Sequence, residues 1–420
     1  MRSGLRALIE KAGRHAPGLW AFGVTVAYFP LLPSAATYGR HVALGLGAAA
    51  LLPRARVAAT PGHLMIAGLL AWMACGFLWT TSWLDTAGEL ALWAMLAAAF
   101  VVAFDLPDLD DVWTGFCAGM VISVAFSIAQ ASGFSLVWSI YREPVGLFLS
   151  KNMATDVSVL AVIACLSRSR AVFMPAAAVS LFLVGGRSAF LALGCAAFAW
   201  AWLTFPGRRP AIAAAAGAVI AISIPLALLG VFGLYEDRLE IWTLVVRHLS
   251  ILGDGLGTFA VAAPGLEYAH NEFLHYAFEL GIGSVLLWGI FVYALGSGPI
   301  LERVALVALL AESFVWFPLH APVPAFLGMV LAGHLCGVRH RASVAERARG
   351  VARPLGLFDG LPPFVGALHE ADHPRLREDG RGGADVRSTV RGRWPVSVRP
   401  EDPVGSGAVR GPVRGSRAEA

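Results

Sequence analysis

The sequence predicts an all-α polytopic membrane protein of about twelve transmembrane helices with a short amphipathic helix in an outer-face loop. Three observations predict it. The 420-residue chain is 57% hydrophobic and only 14% charged, too little polar surface for a soluble chain of this length. Apolar runs of about 17–25 residues, the length that crosses a hydrocarbon core, recur up to residue 338. Between them lies one long polar-containing interval, residues 237–283, with two arginines, three histidines and several carboxylates. The short alternating strands of a β-barrel do not occur in the pattern.

Residues 1–17 are polar and basic (Arg2, Arg6, Lys11, Arg14). The apolar run 18–34 reads as an uncleaved first helix. The small residues Ser34, Ala35 and Ala36 also allow a signal peptide, and either choice leaves the far end of the run outside. Further spans fall at 41–53, 62–80, 86–104, 112–131, 153–167, 171–186, 187–205, 210–233, 273–296, 301–318 and 321–338, the first of these short enough to be re-entrant or tilted. Five cysteines lie in or beside these runs without a CxxC pair, so they read as packing residues rather than metal or redox groups.

Loop arginines set the orientation. With the N-terminus inside, inner loops carry Arg54 and Arg56, Arg168 and Arg170, Arg208 and Arg209, then Arg303, and the tail from Arg339 is also inside. The inner loop 105–111 is acidic and runs against the pattern, but acidic residues weigh little in it. Among the basic residues that land outside are Arg142, Lys151, Arg187, Arg238 and Arg247. For Arg142 and Arg247 a headgroup contact or salt bridge competes evenly with a functional role. Arg187, in LVGGRSAFLAL, sits between two apolar runs with almost no loop, where a charge is costly and marks a functional site. Gly185 and Gly186 before it allow a tight turn or close approach of a ligand to backbone. Ser150, Lys151 and Asn152 precede another span, and Ser150 or Asn152 can serve as its helix cap.

In the outer loop 234–272, Asp237 and Glu240 have the spacing of a capped helix start, and Leu239, Trp242, Val246 and Leu249 recur at helical spacing. A short amphipathic helix over 238–250, lying on the outer interface, follows. Arg238 in its first turn opposes the helix dipole, which points to a ligand rather than to helix stability. Gly253, Gly255 and Gly257 read first as a chain reversal and only second as a phosphate cradle. His270 enters the next span beside Asn271 and Glu272, where its pKa can be tuned for proton transfer. His270 and His275 are five apart and face different ways, so they form no i, i+4 zinc motif and no metal is expected through them. Glu272, His275 and Glu279 share one helix face, with Glu279 about 10 Å below the entrance. A carboxylate at that depth needs a partner, either in a structural hydrogen bond or in a site.

Outward-facing arginines, an interfacial histidine and no nucleotide-binding motif point to an activated lipid as substrate. Arginines suit a pyrophosphate and stabilise it as a leaving group, and a histidine can take the proton of an attacking hydroxyl. No nucleic-acid partner is expected.

Four stretches resemble the O-antigen ligase and polymerase superfamily of bacterial membrane glycosyltransferases. GGRSAFLAL is similar to its arginine-containing segment SRxxxL, and RLEIW with GDGLGTF to its R-x-x-x-W and glycine-rich segment. AHNEFLHYAFELGIG is similar to its HNxxLxxxxExGxxG, and LFLSKNMA to its asparagine-containing segment before a helix. They occur in the family's order between residues 147 and 283. The resemblance implies a C-type glycosyltransferase in the bacterial inner membrane, its site facing the periplasm, both termini cytoplasmic, with no cofactor or metal required. It implies that Arg187 and Arg238 bind the pyrophosphate of an undecaprenyl-pyrophosphate-linked glycan and that His270 is the base. Lys151, Asn152, Asn271, Arg247 and Glu279 complete the expected substrate-binding set. The acceptor is either the lipid A core of lipopolysaccharide or a second lipid-linked glycan, so ligase, polymerase and protein O-glycosylation share the donor chemistry. A transporter is the reading from a different class, disfavoured by the absence of internal repeats and the clustering of ionisable residues at one surface. The transmembrane domain is expected over 1–338. Residues 339–420 carry fifteen Arg against ten Asp or Glu, lie outside the resemblance, and read as a disordered cytoplasmic tail.

Overall fold

A computed structural model of the protein describes residues 13, 15–28, 35–134, 144–148, 150–228, 236–262 and 268–348. Arg142 and the tail beyond Ala348 lie outside the described residues. The structure is 81% helical, and no strand occurs among the described residues. In chain order the helices are α1 (Ala16–Val26), α2 (Ala35–Leu51), α3 (Pro61–Cys75), α4 (Trp83–Asp105), α5 (Asp110–Ala131), α6 (Lys151–Ala164), α7 (Met174–Val184), α8 (Ser188–Thr204), α9 (Arg209–Leu228) and α10 (Glu236–Arg247). They continue as α11 (Phe259–Ala262), α12 (Glu272–Leu280), α13 (Ser284–Leu295), α14 (Ile300–Ser313) and α15 (Pro322–Ala348).

Five stretches are long and apolar enough to cross a membrane: Pro61–Leu78, Trp83–Asp105, Asp110–Ala131, Glu272–Leu295 and Pro322–Arg347. They match the runs expected at 62–80, 86–104, 112–131, 273–296 and 321–338. Ser188–Thr204 with Pro206–Val219 makes a sixth if counted as one span, bent by 111°. The other expected spans form shorter helices. α1 and α7 have 11 residues each, α6 and α14 have 14, and α2 has 17. At 1.5 Å per residue these reach about 17–26 Å, less than a hydrocarbon thickness of about 30 Å. α15 also runs ten residues past Val338, where the transmembrane domain was expected to end.

α15 is the central pillar. Its spanning window is 89% buried although it is the least apolar of the five. Small residues let α4 lie directly against it: a Cβ on Gly333 would come within 2.2 Å of the Phe100 carbonyl oxygen, and one on Gly337 within 2.0 Å of that of Phe104. At the C-terminal end of this pillar Arg341 donates to the carbonyls of Phe104 (2.8 Å) and Leu106 (3.0 Å). Arg170 pairs with Asp110 at 2.6 Å, and His15 meets Asp111 at 3.2 Å. The acidic loop 105–111 is therefore the acceptor for basic groups assigned to the same side, which explains why it lacks arginines of its own.

Arg40 on α2 is fully buried. It donates to the carbonyls of Thr25 and Leu147 and lies 4.7 Å above the Phe148 ring. This cation staples the stretch leading into α6, where Ser150 caps the helix by accepting from Met153 N at 3.2 Å. Asn152 is then an inner first-turn residue and not the cap.

The turn between α7 and α8 is set by Gly185, whose φ of +57° ends α7 in the left-handed region. Gly186 is pressed onto α6: a Cβ there would sit 1.9 Å from Thr155 Oγ1. Gly186→Ala is expected to destabilise the fold by about 1–3 kcal/mol through overpacking. Gly186→Ala combined with Thr155→Ala should recover part of that loss in thermal unfolding, whereas strictly additive losses would show that the contact is not the cause.

Candidate functional site

The segment from Glu312 to His320, between α14 and α15, is the point at which three of the expected site residues meet. Asn271 caps α12 by accepting from Leu274 N at 3.0 Å, and its Nδ2 donates to the Phe314 carbonyl at 3.0 Å. Arg238 Nη1 donates to the Val315 carbonyl at 2.9 Å. The His270 ring packs against Trp316 and Phe317, with ring centres 5.2 and 5.6 Å away. Three side chains from the expected set thus lie around three consecutive residues, 314–316.

α10 carries Arg238 to this place. The helix runs Glu236–Arg247 and so ends before residue 250. Its Trp242 Nε1 donates to the Ala269 carbonyl at 3.0 Å, one residue before His270. Val245 joins Phe259, Ala269 and Phe278 in a small core separate from the main one. The stripe Leu239, Val246 and Leu249 stays exposed on the protein, as an interface-lying helix requires. Arg247 is exposed at the last turn of α10, where a cation complements the helix dipole.

His270 has φ 51°, the one non-glycine residue with positive φ among the described residues. It precedes the helix and does not lie on it, so its ring is presented to the 314–317 turn and not into the α12 face. Its Nδ1 is buried without a hydrogen-bond partner. Burial lowers its pKa below the ordinary histidine value, with the Arg238 charge and His275 adding to the shift. These effects favour the neutral imidazole, the form a general base needs.

Lys151, Asn152 and Arg187 gather on a neighbouring part of the structure. Arg187 is exposed at the start of α8. Gly186 beside it packs on Thr155, which in turn donates to the Lys151 carbonyl at 2.9 Å. Ser188, next to Arg187, lies beside Glu312, whose carboxyl faces Asp156 of α6. Glu312 is two residues before Phe314, so it links this group to the first one. Asn271 has both ends of its amide engaged within the protein, which makes it a positioning residue for the turn bearing His270. Glu279 accepts from Phe259 N at 3.2 Å and lies 3.3 Å from His275, so one carboxylate oxygen is used structurally.

The glycines of the 253–257 turn all have positive φ and make the chain reversal. Gly253 and Gly255 are held against the end of α12, where Asp254 N and Gly255 N donate to the carbonyls of Phe278 and Glu279 at 3.0 Å each. They brace α12 with backbone that a phosphate cradle would need free.

Sequence reasoning missed Arg40, the Asp156–Glu312 pair and His320. Asp156 and Glu312 carried a signal, each being an ionisable residue within an apolar run. His320 carried none, because its partner Glu272, 2.8 Å away, is 48 residues earlier in the chain.

Fold and site together define an all-helical protein with five or six helices able to cross a membrane and a cluster of polar groups around one interhelical turn. Neither a protein-family model nor a curated protein matches the chain.

Proposed function

We propose that this protein is a membrane glycosyltransferase that moves a glycan from undecaprenyl pyrophosphate to an acceptor hydroxyl, most simply that of the lipid A core. The observation that carries the reading is the meeting on one turn of Arg238 and His270, whose buried Nδ1 has no hydrogen-bond partner and whose pKa is lowered by burial and by the Arg238 charge. In this reaction His270 removes the proton of the acceptor hydroxyl as its oxygen attacks the anomeric carbon. The bond from that carbon to the pyrophosphate oxygen breaks, and the leaving pyrophosphate takes the bonding electrons. Arg187 and Arg238 bind that charge, which is greatest as the bond breaks.

The reading includes about twelve passes, some by the shorter helices, in the bacterial inner membrane. It places the site on the periplasmic face and both termini in the cytoplasm. Support for this sidedness comes from distance. The site lies at the start of α15, and the Arg341 contacts lie 19 residues further along it, about 29 Å away at 1.5 Å per residue. That separation is close to a hydrocarbon thickness.

Proteoliposomes with lipid-linked donor and acceptor test the reading directly: glycan transfer is expected, and donor movement without transfer would make the protein a transporter. A deletion strain then identifies the acceptor. Core lipopolysaccharide without glycan and long lipid-linked chains mean ligase, whereas a core bearing one repeat with short lipid-linked repeats means polymerase.

The acid limb of the kcat/KM profile should fall with an apparent pKa below the ordinary histidine value of about 6.5. The sign follows from the environment: burial, Arg238 and His275 all disfavour the imidazolium, so the neutral base persists to lower pH. An acid limb centred above that value would remove His270 from the base role.

A further inference from the structure

One helical turn into α12 from His270 lies a second set of polar groups, Glu279 of the expected substrate-binding set among them, that takes no part in the bond-making and proton-transfer steps above. His275 Nε2 is 3.3 Å from Glu279 Oε1, and both side chains are buried. His320 comes to the same place from the turn before α15, its ring centre 4.3 Å from that of His275. One ligand-capable atom from each of His275, Glu279 and His320 lies within 4.8 Å of the other two. We propose that these three side chains bind a divalent transition-metal cation, with zinc the best match.

The donor set is the first argument. Two imidazoles and one carboxylate are zinc ligands, and ligand atoms about 2.0–2.1 Å from a tetrahedral ion stand about 3.4 Å apart. The 3.3 Å between His275 and Glu279 fits that edge. Their i, i+4 spacing also puts them on one face of α12.

The surroundings are the second argument. Glu272 Oε1 is 2.8 Å from His320 Nδ1. A carboxylate on one imidazole nitrogen holds the proton there and leaves the other nitrogen for a metal, the usual outer-shell arrangement of a ligating histidine. Phe259 N donates to Oε1 of Glu279, the oxygen that faces His275, and so fixes the orientation of that carboxylate. The contact that metal binding displaces is a long one, 3.4 Å from Ala269 N to His275 Nδ1, since a metal-bound Nε2 moves the ring proton to Nδ1.

Charge is the third. Oε2 of Glu272 and Oε2 of Glu279 are buried with no hydrogen-bond partner. Glu272, Glu89 and Glu279 are the carboxylates nearest in effect to the His320 imidazole, and all three favour positive charge there. The two buried carboxylates Glu272 and Glu279 face one imidazole each, His320 and His275, and a divalent ion held between Glu279 and the two rings adds positive charge to that buried group. The ion would tie α12 to the turn before α15 and so brace the Trp316–Phe317 ledge on which His270 packs. It touches no reacting atom of the proposed transfer, so its test is independent of that reading.

The full-length protein, purified in detergent and supplied with zinc, is expected to hold about one zinc per chain by mass spectrometry. Glu279→Gln and His320→Asn should each lower bound zinc to background, while Arg247→Ala keeps it. Cobalt added to metal-stripped wild type should give the intense visible absorption of a four-coordinate ion. Zinc should also raise the thermal midpoint of wild type and not of the two variants. Zinc content in wild type no higher than in Glu279→Gln overturns the site, as does a cobalt spectrum of octahedral type. If the variants fail to fold, the wild-type cobalt spectrum decides alone.

Discussion

His270→Asn is expected to abolish glycan transfer while leaving the protein folded. A positioned general base contributes about 10²- to 10⁴-fold to a rate, so the loss should fall in that range. Asparagine is the informative replacement because position 270 has φ 51°, which asparagine tolerates far better than most residues. His270→Ala removes the same lone pair but adds backbone strain, so comparison of the two separates chemistry from folding. Equal thermal midpoints for His270→Asn and wild type, with transfer lost, support the base assignment. Transfer by His270→Asn at a rate near that of wild type would sink it, since the neighbouring imidazoles, His275 and His320, are buried against Glu279 and Glu272.

Arg187→Ala and Arg238→Ala come next in size. Removing one charged partner from a partly dry ion pair costs about 2–5 kcal/mol, or about 30- to 5,000-fold in rate. Arg238→Lys should recover little: Arg238 holds the Val315 carbonyl with one nitrogen, and only the planar guanidinium has further donors fixed toward a second acceptor. Arg247→Ala should be mild, because Arg247 sits exposed at the last turn of α10, where the helix dipole accounts for it. The measurement is initial transfer rate in proteoliposomes at matched protein content. Near wild-type rates for both Arg187→Ala and Arg238→Ala would refute the pyrophosphate assignment, whatever His270→Asn does.

Much of the candidate site was legible because its residues break the rules of their neighbourhood. Arg187 between two apolar runs, Arg238 at the wrong end of a helix and His270 at a span boundary each stand out without knowledge of contacts. Ser150 and the 253–257 glycines follow local chemistry, and each acts as its residue type requires. Span lengths were less legible. The runs expected at 153–167 and 171–186 are α-helical only over Lys151–Ala164 and Met174–Val184. Hydropathy reports whether a residue tolerates lipid and is blind to where the backbone turns.

The sequence by itself determined the class of structure, its orientation signals and the residue types that could act on a phosphate or a proton. Period, apolar length and misplaced charge are local properties of a chain, and local properties can be read from order alone. Only the tertiary structure decided which of these residues meet. The 314–317 turn joins Arg238 to His270, and Arg40 reaches across from α2 to hold the entrance of α6. The convergence of His320 with His275 and Glu279 depends on how α12 packs against the start of α15, more than 40 residues later in the chain. Such contacts arise from packing of whole helices, and no periodicity within a helix encodes them.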